Sequence, residues 1–297
     1  MPAIPLLSAN AYLAPPDIGP HAFVALAKKA GFGGVAWNQR TVQEHDAAAL
    51  AAHCAAEGMA ITSLNSAGYF TWTDPARQAA QDAQNLWLVE QAARLGAGHL
   101  VVITGGIDGG LDAPAPAAGM AAQTLATARA RVTEGLARLD RRAAELGVRL
   151  ALELIHPVDQ LRKGCVHGVA EGLSLVADLP QTDLVLDTYH SCWDRDLTAF
   201  PAPDLGRLGF LQVCNVTEPH PDAKPVRSLP AEGRFDLQAM MNHYAARGYA
   251  GAVEFEMFDH HRQGRSVAAL LEAAQAQLAR ICALAWSATP AVEGPLP

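Results

Sequence analysis

Residues 182–190 read TDLVLDTYH, and this stretch shows the pattern that decides the fold. A short run of apolar and β-branched residues ends in Asp187, as expected for a buried parallel strand. Runs of this kind recur along the whole chain, and longer amphipathic stretches lie between them. The predicted strands are Leu6–Ala9, Gly34–Trp37, Ala60–Leu64, His99–Ile103, Arg149–Leu154, Asp183–Leu186, Gly209–Val213 and Ala252–Phe255.

The stretches between these runs predict helices. They carry apolar residues at three- and four-residue spacing and close on glycine, as in PHAFVALAKKAG at 20–31. Alternating strands and helices favour a parallel sheet, either an open Rossmann-type sheet or a closed barrel. No GxGxxG follows a predicted strand, and eight units fit the barrel. The sequence therefore predicts an α/β fold, a (β/α)8 TIM barrel formed by one domain at 1–285, with a flexible tail at 286–297.

Composition excludes several classes of protein. The chain has 297 residues, of which 50% are hydrophobic and 18% charged, and a formal net charge of −8, which is typical of a globular protein and not of a disordered one. Its 22 lysines and arginines are dispersed, so a nucleic acid is not an expected partner. Five cysteines without a CxxC pair indicate a reducing compartment. With no signal peptide and no long uncharged apolar run, a cytoplasmic protein without a membrane partner is expected.

Four consecutive strands in the second half end in polar side chains. Their positions are Glu153, Asp187, Gln212 and Glu256. A carboxylate next to buried strand residues is costly unless a cation or donor satisfies it, and the carboxyl ends of barrel strands meet at one mouth. Each acid alone could instead cap a helix or pair with an arginine. Together the four predict one divalent ion held by oxygen ligands, Mn²⁺ first, with Mg²⁺, Co²⁺ or Zn²⁺ as alternatives.

The sequence around these positions resembles a known family. The motifs are ALELIHP at 151–157, LVLDTYHSCWD at 184–194, GFLQV at 209–213, RSLPAEGRFDL at 227–237 and YAGAVEFEMF at 249–258. They are similar to the sugar phosphate isomerase/epimerase family of xylose isomerase-like TIM barrels. In that family a Glu, an Asp, a His or Gln and a Glu bind the ion, which implies the same four ligands here. Gln212 in place of the commoner His is closest to the hydroxypyruvate isomerase-like members.

The resemblance implies a reaction. Glu153 and Glu256 would be the catalytic acid and base that move a proton next to a metal-chelated carbonyl, through an enediolate, in a small ketose, keto acid or sugar derivative. His190 resembles the histidine of the family's DxxH, which contacts substrate, and Arg227 resembles an arginine that holds a substrate oxygen. Glu254, two residues before Glu256, is expected one layer deeper in a buried ion pair.

Two further residues are substrate-binding candidates from their position. His156 follows Glu153 on the same predicted loop, where it could bind a substrate hydroxyl. Trp37 falls at the predicted barrel mouth, where it could form an apolar wall of the substrate site. The expected partner is thus a small carbohydrate-like molecule, and a homo-oligomer is also common for barrels of this class.

Several other functions stay open at this stage. A metal-dependent lyase, similar to inosose or dehydroshikimate dehydratases, would use the same proton abstraction to expel water. A C-glycoside deglycosidase subunit and a non-catalytic barrel module are more remote alternatives. An apurinic endonuclease would need a multi-zinc cluster and a basic face, and neither is visible in the sequence.

Overall fold

Eight parallel strands form a closed barrel in the computed structural model, which describes residues 4–107, 109–110, 123–198, 200–218 and 224–287. The barrel strands are β1 (Leu7–Asn10), β2 (Gly34–Asn38), β3 (Ala60–Gly68), β4 (His99–Ile103), β5 (Leu150–Glu153), β6 (Thr182–Asp187), β7 (Leu208–Val213) and β10 (Ala252–Phe255). The order around the barrel is β1-β10-β7-β6-β5-β4-β3-β2. The predicted (β/α)8 barrel is therefore confirmed, and all eight predicted strands are present within a few residues of their predicted bounds.

Helices surround the barrel. They are α1 (Pro20–Ala30), α2 (Gln39–Glu44), α3 (Ala47–Ala56), α4 (Pro75–Leu95), α5 (Leu125–Leu146), α6 (Val169–Val176), α7 (Thr188–Ser191), α8 (Leu237–Ala246) and α9 (Val267–Ser287). Local sequence explains the ends of the longer ones. The Asp74 side chain accepts hydrogen bonds from the first turn of α4, and Gly96 ends this helix in the left-handed conformation that glycine adopts without strain. Thr124 and Gly147 serve α5 in the same way.

The C-terminal helix α9 is long and apolar enough, by length and composition alone, to cross a membrane. In the barrel it packs against α1, α8 and β1 and buries residues such as Leu270 and Leu278. It is thus a helix of the barrel wall. The predicted domain boundary after residue 285 falls inside α9, and the rest of the predicted tail, 288–297, lies outside the described residues.

The segment after the seventh barrel strand contains two short strands. These strands, β8 (Asn215–Thr217) and β9 (Val226–Ser228), form an antiparallel pair. The Asn215 side chain stabilises the pair, since its Oδ1 accepts hydrogen bonds from the backbone N–H groups of Val216 and Phe235. Neither strand is among the eight predicted from the sequence, because three-residue strands in a polar stretch give no periodic signal.

Strand alternation divides the barrel into an outer and an inner set of side chains. Leucines such as Leu152 and Leu186 face the helices, whereas Val101, Ala151, Val185 and Phe210 form an apolar cluster inside the barrel. Two residues further along β5, β6 and β7 the inward positions carry Glu153, Asp187 and Gln212. The interior thus changes from apolar to polar toward the carboxyl ends of the strands, where barrel enzymes carry their active sites.

Candidate metal centre and active site

The four strand-end side chains lie on adjacent strands at one end of the barrel. Strand register pairs Asp187 with Gln212, and Gln212 with Glu254. Glu153 ends the neighbouring strand β5, and Glu256 directly follows β10. These four side chains and that of Glu254 are all buried. The structure therefore gathers four carboxylates and one amide in a small volume at the barrel mouth.

Glu153 lies beside a histidine and a lysine. Its Oε1 is 3.7 Å from Nε2 of His190, and the Lys163 ammonium is 2.7 Å from the same nitrogen. Burial raises the pKa of Glu153 from 4.5 to about 7, and the charge of Asp187 adds to this, while Lys163 opposes it. Burial, helped by the Lys163 charge, holds the pKa of His190 well below its ordinary value. His190 is therefore neutral at pH 7, and its Nε2 can accept a hydrogen bond from Lys163.

Asp187 forms a buried ion pair with Arg227. Nη1 of Arg227 donates to Oδ1 of Asp187 at 2.9 Å, and Nη2 donates to Oδ2. The guanidinium lies between the rings of Tyr189 and Phe258, with its central carbon 4.6 Å and 4.9 Å from the ring centres. Because this two-point pairing and the two rings fix the arginine, the Asp187 carboxylate is held in one orientation.

Arg227 also reaches toward Glu256. Its Nη2 is 3.6 Å from Oε2 of Glu256, beyond hydrogen-bond distance, and this oxygen is buried with no hydrogen-bond partner among the described residues. Burial, with added repulsion from Asp187 and Glu153, raises the pKa of Glu256 well above its ordinary value despite the nearby guanidinium. A buried carboxyl oxygen without a hydrogen-bond partner is free to bind a further donor or a cation.

Gln212 shows the same kind of unsatisfied oxygen. Its Nε2 donates to Oδ1 of Asn65 at 3.1 Å and to Oε1 of Glu254 at 3.0 Å. Its Oε1 is buried and has no hydrogen-bond partner among the described residues. An amide oxygen left free in this way is available as a ligand.

The prediction that Glu254 forms a buried ion pair is wrong within the described part of the chain. The carboxylate instead accepts hydrogen bonds from four neutral side chains, those of Asn10, Thr62, Ser63 and Gln212. Burial raises the pKa of Glu254, and these hydrogen bonds counteract the rise. Neutral donors can replace water around a buried carboxylate, so a cation is not required there.

A cavity of about 540 Å³ opens at this end of the barrel, a size suited to a small molecule. Glu153, Glu256 and His190 line it. Three other residues that were not predicted as site residues also line it, namely Lys163, Tyr12 and Phe258. His260 and His261 belong to the cavity wall as well. Lys163 follows β5 in a loop whose sequence carries no recognisable pattern, so only its place in the fold reveals it.

Three predicted substrate contacts lie elsewhere. Trp37 is buried outside the barrel, where its ring packs against Phe23 of α1, and it does not line the cavity. His156 caps a short turn, since its Nδ1 accepts from the backbone N–H of Val158, and it is also absent from the cavity wall. Arg227 is buried, pairs with Asp187 and does not line the cavity.

The residues at the mouth fit a divalent cation. Among the described residues at the mouth, four buried acids stand against one buried guanidinium and the half-buried Lys163, so acids outnumber cations. Oxygen atoms of Glu153 and Asp187 and a ring nitrogen of His190 lie within 4.8 Å of one another. The unpartnered oxygens of Gln212 and Glu256 add two further donors. A carboxylate-rich set with one amide is the chemistry that hard and borderline divalent ions prefer.

Fold and site together define a (β/α)8 barrel with an acidic mouth. A sequence model of the xylose isomerase-like TIM barrel family matches residues 24–281, so the chain belongs to that family. This finding confirms the resemblance seen in the motifs. Among proteins with curated functions, none matches this sequence.

Solved structures with the same fold cover nearly the whole chain. Protein SMc04130 from Sinorhizobium meliloti 1021 has a TM-score of 0.80 at 24% identity, covering 94% of this chain and 99% of the other. An L-ribulose 3-epimerase has a TM-score of 0.74 at 19% identity, covering 97% and 99%. The IOLI protein, solved with a bound zinc atom, has a TM-score of 0.72 at 16% identity, covering 96% and 99%. At these identities the likeness shows the shared fold.

Proposed function

We propose that this protein is a divalent-metal-dependent isomerase or epimerase of a small ketose, keto acid or sugar derivative. The observation that carries the proposal is the pair Glu153 and Glu256. Both acids line one cavity of small-molecule size, and burial raises the pKa of each. A carboxyl group with a pKa near 7 can both accept and return a proton at neutral pH. Epimerase neighbours with the same fold support this choice.

The ion-binding residues in this proposal are Glu153, Asp187, Gln212 and Glu256. The unpartnered oxygens of Gln212 and Glu256 favour this set over one that includes His190, whose Nε2 already lies 2.7 Å from the Lys163 ammonium. We expect Mn²⁺ as the ion, and the zinc in the IOLI structure makes Zn²⁺ the first alternative. When bound, the ion supplies Lewis acidity that polarises a carbonyl oxygen and stabilises negative charge on it.

The protein's own residues carry the proton transfer. Glu153 accepts the proton from the carbon beside a substrate carbonyl, and an enediolate forms. Glu256 follows β10, which is separated from β5 by the two strands β7 and β6, so it can deliver a proton from a different direction. Return to the opposite face of the same carbon is epimerisation, and return to the neighbouring carbon is isomerisation. Neutral His190 is placed to hydrogen-bond a substrate hydroxyl, and Lys163 can bind an anionic or hydroxyl oxygen nearby.

Incubation of the Mn²⁺-loaded protein with a panel of ketoses and 2-keto acids in deuterated water tests the proposal. We expect one substrate to gain deuterium at a carbon next to its carbonyl without losing water. Loss of one water from the substrate would instead support the dehydratase alternative. No deuterium uptake from any panel member with any of the four candidate ions would contradict the proposed function.

A further inference from the structure

We propose that Glu254 is a positioning residue that orients the Gln212 amide so that its oxygen, and not its nitrogen, faces the metal centre. This inference rests on the proposed function, because it concerns the ion expected at the barrel mouth. Glu254 itself does not line the cavity. It would act only through Gln212.

The problem that Glu254 solves comes from the chemistry of glutamine. The two ends of a side-chain amide have nearly the same shape, but only the oxygen can bind a cation, since the nitrogen carries two hydrogens. A histidine at this position has a ring nitrogen for the ion in either case. A glutamine ligand therefore needs neighbours that distinguish its two ends.

The neighbours of Gln212 provide this distinction on the nitrogen side. Strand register places Glu254 of β10 directly beside Gln212 of β7. Both hydrogens of the Gln212 amide are used, one on Oε1 of Glu254 at 3.0 Å and one on Oδ1 of Asn65 at 3.1 Å. The amide oxygen must then point away from both acceptors. Asp187 is the register partner of Gln212 on its other side, which is the side of the proposed ion.

The reversed orientation is excluded by the acceptors themselves. Both oxygens of Glu254 act as acceptors in this network, so a reversed Gln212 would set its oxygen against an oxygen of Glu254. The Asn65 amide is also held in one orientation, because its nitrogen donates to Oγ of Ser63 at 2.8 Å and to the carbonyl of Trp37 at 3.3 Å. Its oxygen is therefore the end that meets Gln212.

Side chains of strands β1 and β3 hold the Glu254 carboxylate in place. Asn10 of β1 donates to its Oε1 at 2.8 Å, and Thr62 and Ser63 of β3 donate to its Oε2 at 2.8 Å and 2.9 Å. With four donors, each oxygen of the carboxylate accepts two hydrogen bonds. Such a set of donors suits the two oxygens of a carboxylate. A glutamine at position 254 would have to turn its nitrogen toward one pair of these donors. This accounts for a buried acid that neither pairs with a described cation nor reaches the cavity.

The test compares Mn²⁺ affinity, measured by the electron paramagnetic resonance signal of free Mn²⁺, in wild type and Glu254→Gln. We expect the substitution to weaken Mn²⁺ binding about 10- to 100-fold, the usual effect of losing a residue that orients a ligand. Thr62→Val is the matched control, because it also removes one hydrogen bond from the Glu254 carboxylate, but on the oxygen that Gln212 does not touch. We expect its affinity to stay within about twofold of wild type.

A second variant covers the case in which Glu254→Gln does not fold. In the double variant Glu254→Gln with Gln212→His, a ring nitrogen is available for the ion and the other can donate to Oδ1 of Asn65, so no oriented amide is needed. We expect this double variant to fold and to bind Mn²⁺ at least as tightly as wild type. Circular dichroism and thermal melting check the fold of each variant.

The outcomes separate the two proposals. Wild type that binds no divalent ion overturns the proposed function and this inference with it. Wild type that binds Mn²⁺, together with a folded Glu254→Gln of equal affinity, overturns this inference alone. Equal losses in Glu254→Gln and Thr62→Val would also overturn it, since they would indicate a general role in barrel packing. A double variant Glu254→Gln with Gln212→His that folds and binds as weakly as Glu254→Gln would do the same.

Discussion

The two ends of strand β6 carry the same residue type in opposite electrostatic settings. Asp183, near the amino end, accepts from Nε of Arg149 at 3.1 Å and has His99 at 3.5 Å and Arg207 at 3.9 Å. Although burial alone would raise the pKa of Asp183, hydrogen bonds from His99 and Arg149 outweigh it and lower the pKa. Cations thus surround this acid on several sides.

At the carboxyl end the balance is reversed. Asp187 shares the single buried guanidinium of Arg227 with Glu256, and Glu153 lies close by. The pKa values of Glu153 and Glu256 are raised rather than lowered, mainly by burial. A buried acid by itself therefore does not identify a functional site. A surplus of acids over cations does, because the surplus is costly unless a bound cation or a proton-transfer role requires it.

The largest expected effect is on catalysis at the acidic end. Glu153→Gln removes the proposed base and one ion ligand while conserving shape, so we expect turnover to fall about 10³-fold and Mn²⁺ binding to weaken. Deuterium uptake into substrate measures turnover, and thermal melting checks that the fold is kept. Near-normal turnover in a folded variant would contradict the assignment of Glu153 as the base.

The next expected effect is on stability at the balanced end. Asp183→Asn leaves the partly exposed Arg149 and Arg207 without their carboxylate, and we expect a loss of about 2 kcal/mol in the free energy of unfolding, between the values for exposed and buried pairs. Urea denaturation measures this loss. Because Asp183 lies at the opposite end of the barrel, turnover per folded molecule should not change. An Asp183→Asn variant that loses turnover but not stability would contradict the prediction that this acid stabilises the fold without acting in turnover.

A third prediction concerns pH. The folded protein holds the Glu153 proton up to a pKa of about 7, whereas the ordinary value is 4.5. A raised acid pKa makes stability fall as pH increases through this interval, because the unfolded chain releases the proton earlier. Without metal, wild type should therefore lose stability from about pH 5 to pH 7 relative to Glu153→Gln. Urea denaturation across this range checks the difference, and parallel profiles of the two proteins would contradict it.

The smallest expected effect comes from Gln212→His, which restores the commoner ligand of the family. One ring nitrogen can accept the ion while the other donates to Glu254, so we expect Mn²⁺ affinity equal to wild type or up to about tenfold tighter. Calorimetric titration measures the affinity. Complete loss of the ion in a folded variant would show that Gln212 does not face the metal centre.

The barrel was predictable because its signals are local. Each strand is a short apolar run, and glycines such as Gly96 and Gly147 mark the helix ends before the next strand. The hairpin of β8 and β9 gave no such signal, since its strands are too short for periodicity. Its role in delivering Arg227 to Asp187 depends on contacts across forty residues, which a sequence pattern does not show.

The candidate site was predictable only in part. Positions at strand ends follow from the alternation of buried strands, and this places Glu153, Asp187, Gln212 and Glu256 at one mouth. The same alternation could have excluded Trp37, since it shares the outward side of β2 with Val35, which packs in the outer core. The partners of Glu254 come from β1, β3 and β7, so their convergence appears only in the closed barrel.

The most direct test of the central claim is anomalous diffraction from crystals of this protein soaked in Mn²⁺. We expect one strong anomalous peak at the barrel mouth, about 2.2 Å from oxygens of Glu153, Asp187, Gln212 and Glu256. A peak held by His190 in place of Gln212 and Glu256 would contradict the proposed ligand set. The absence of any peak among these side chains at saturating Mn²⁺ would contradict the metal centre itself.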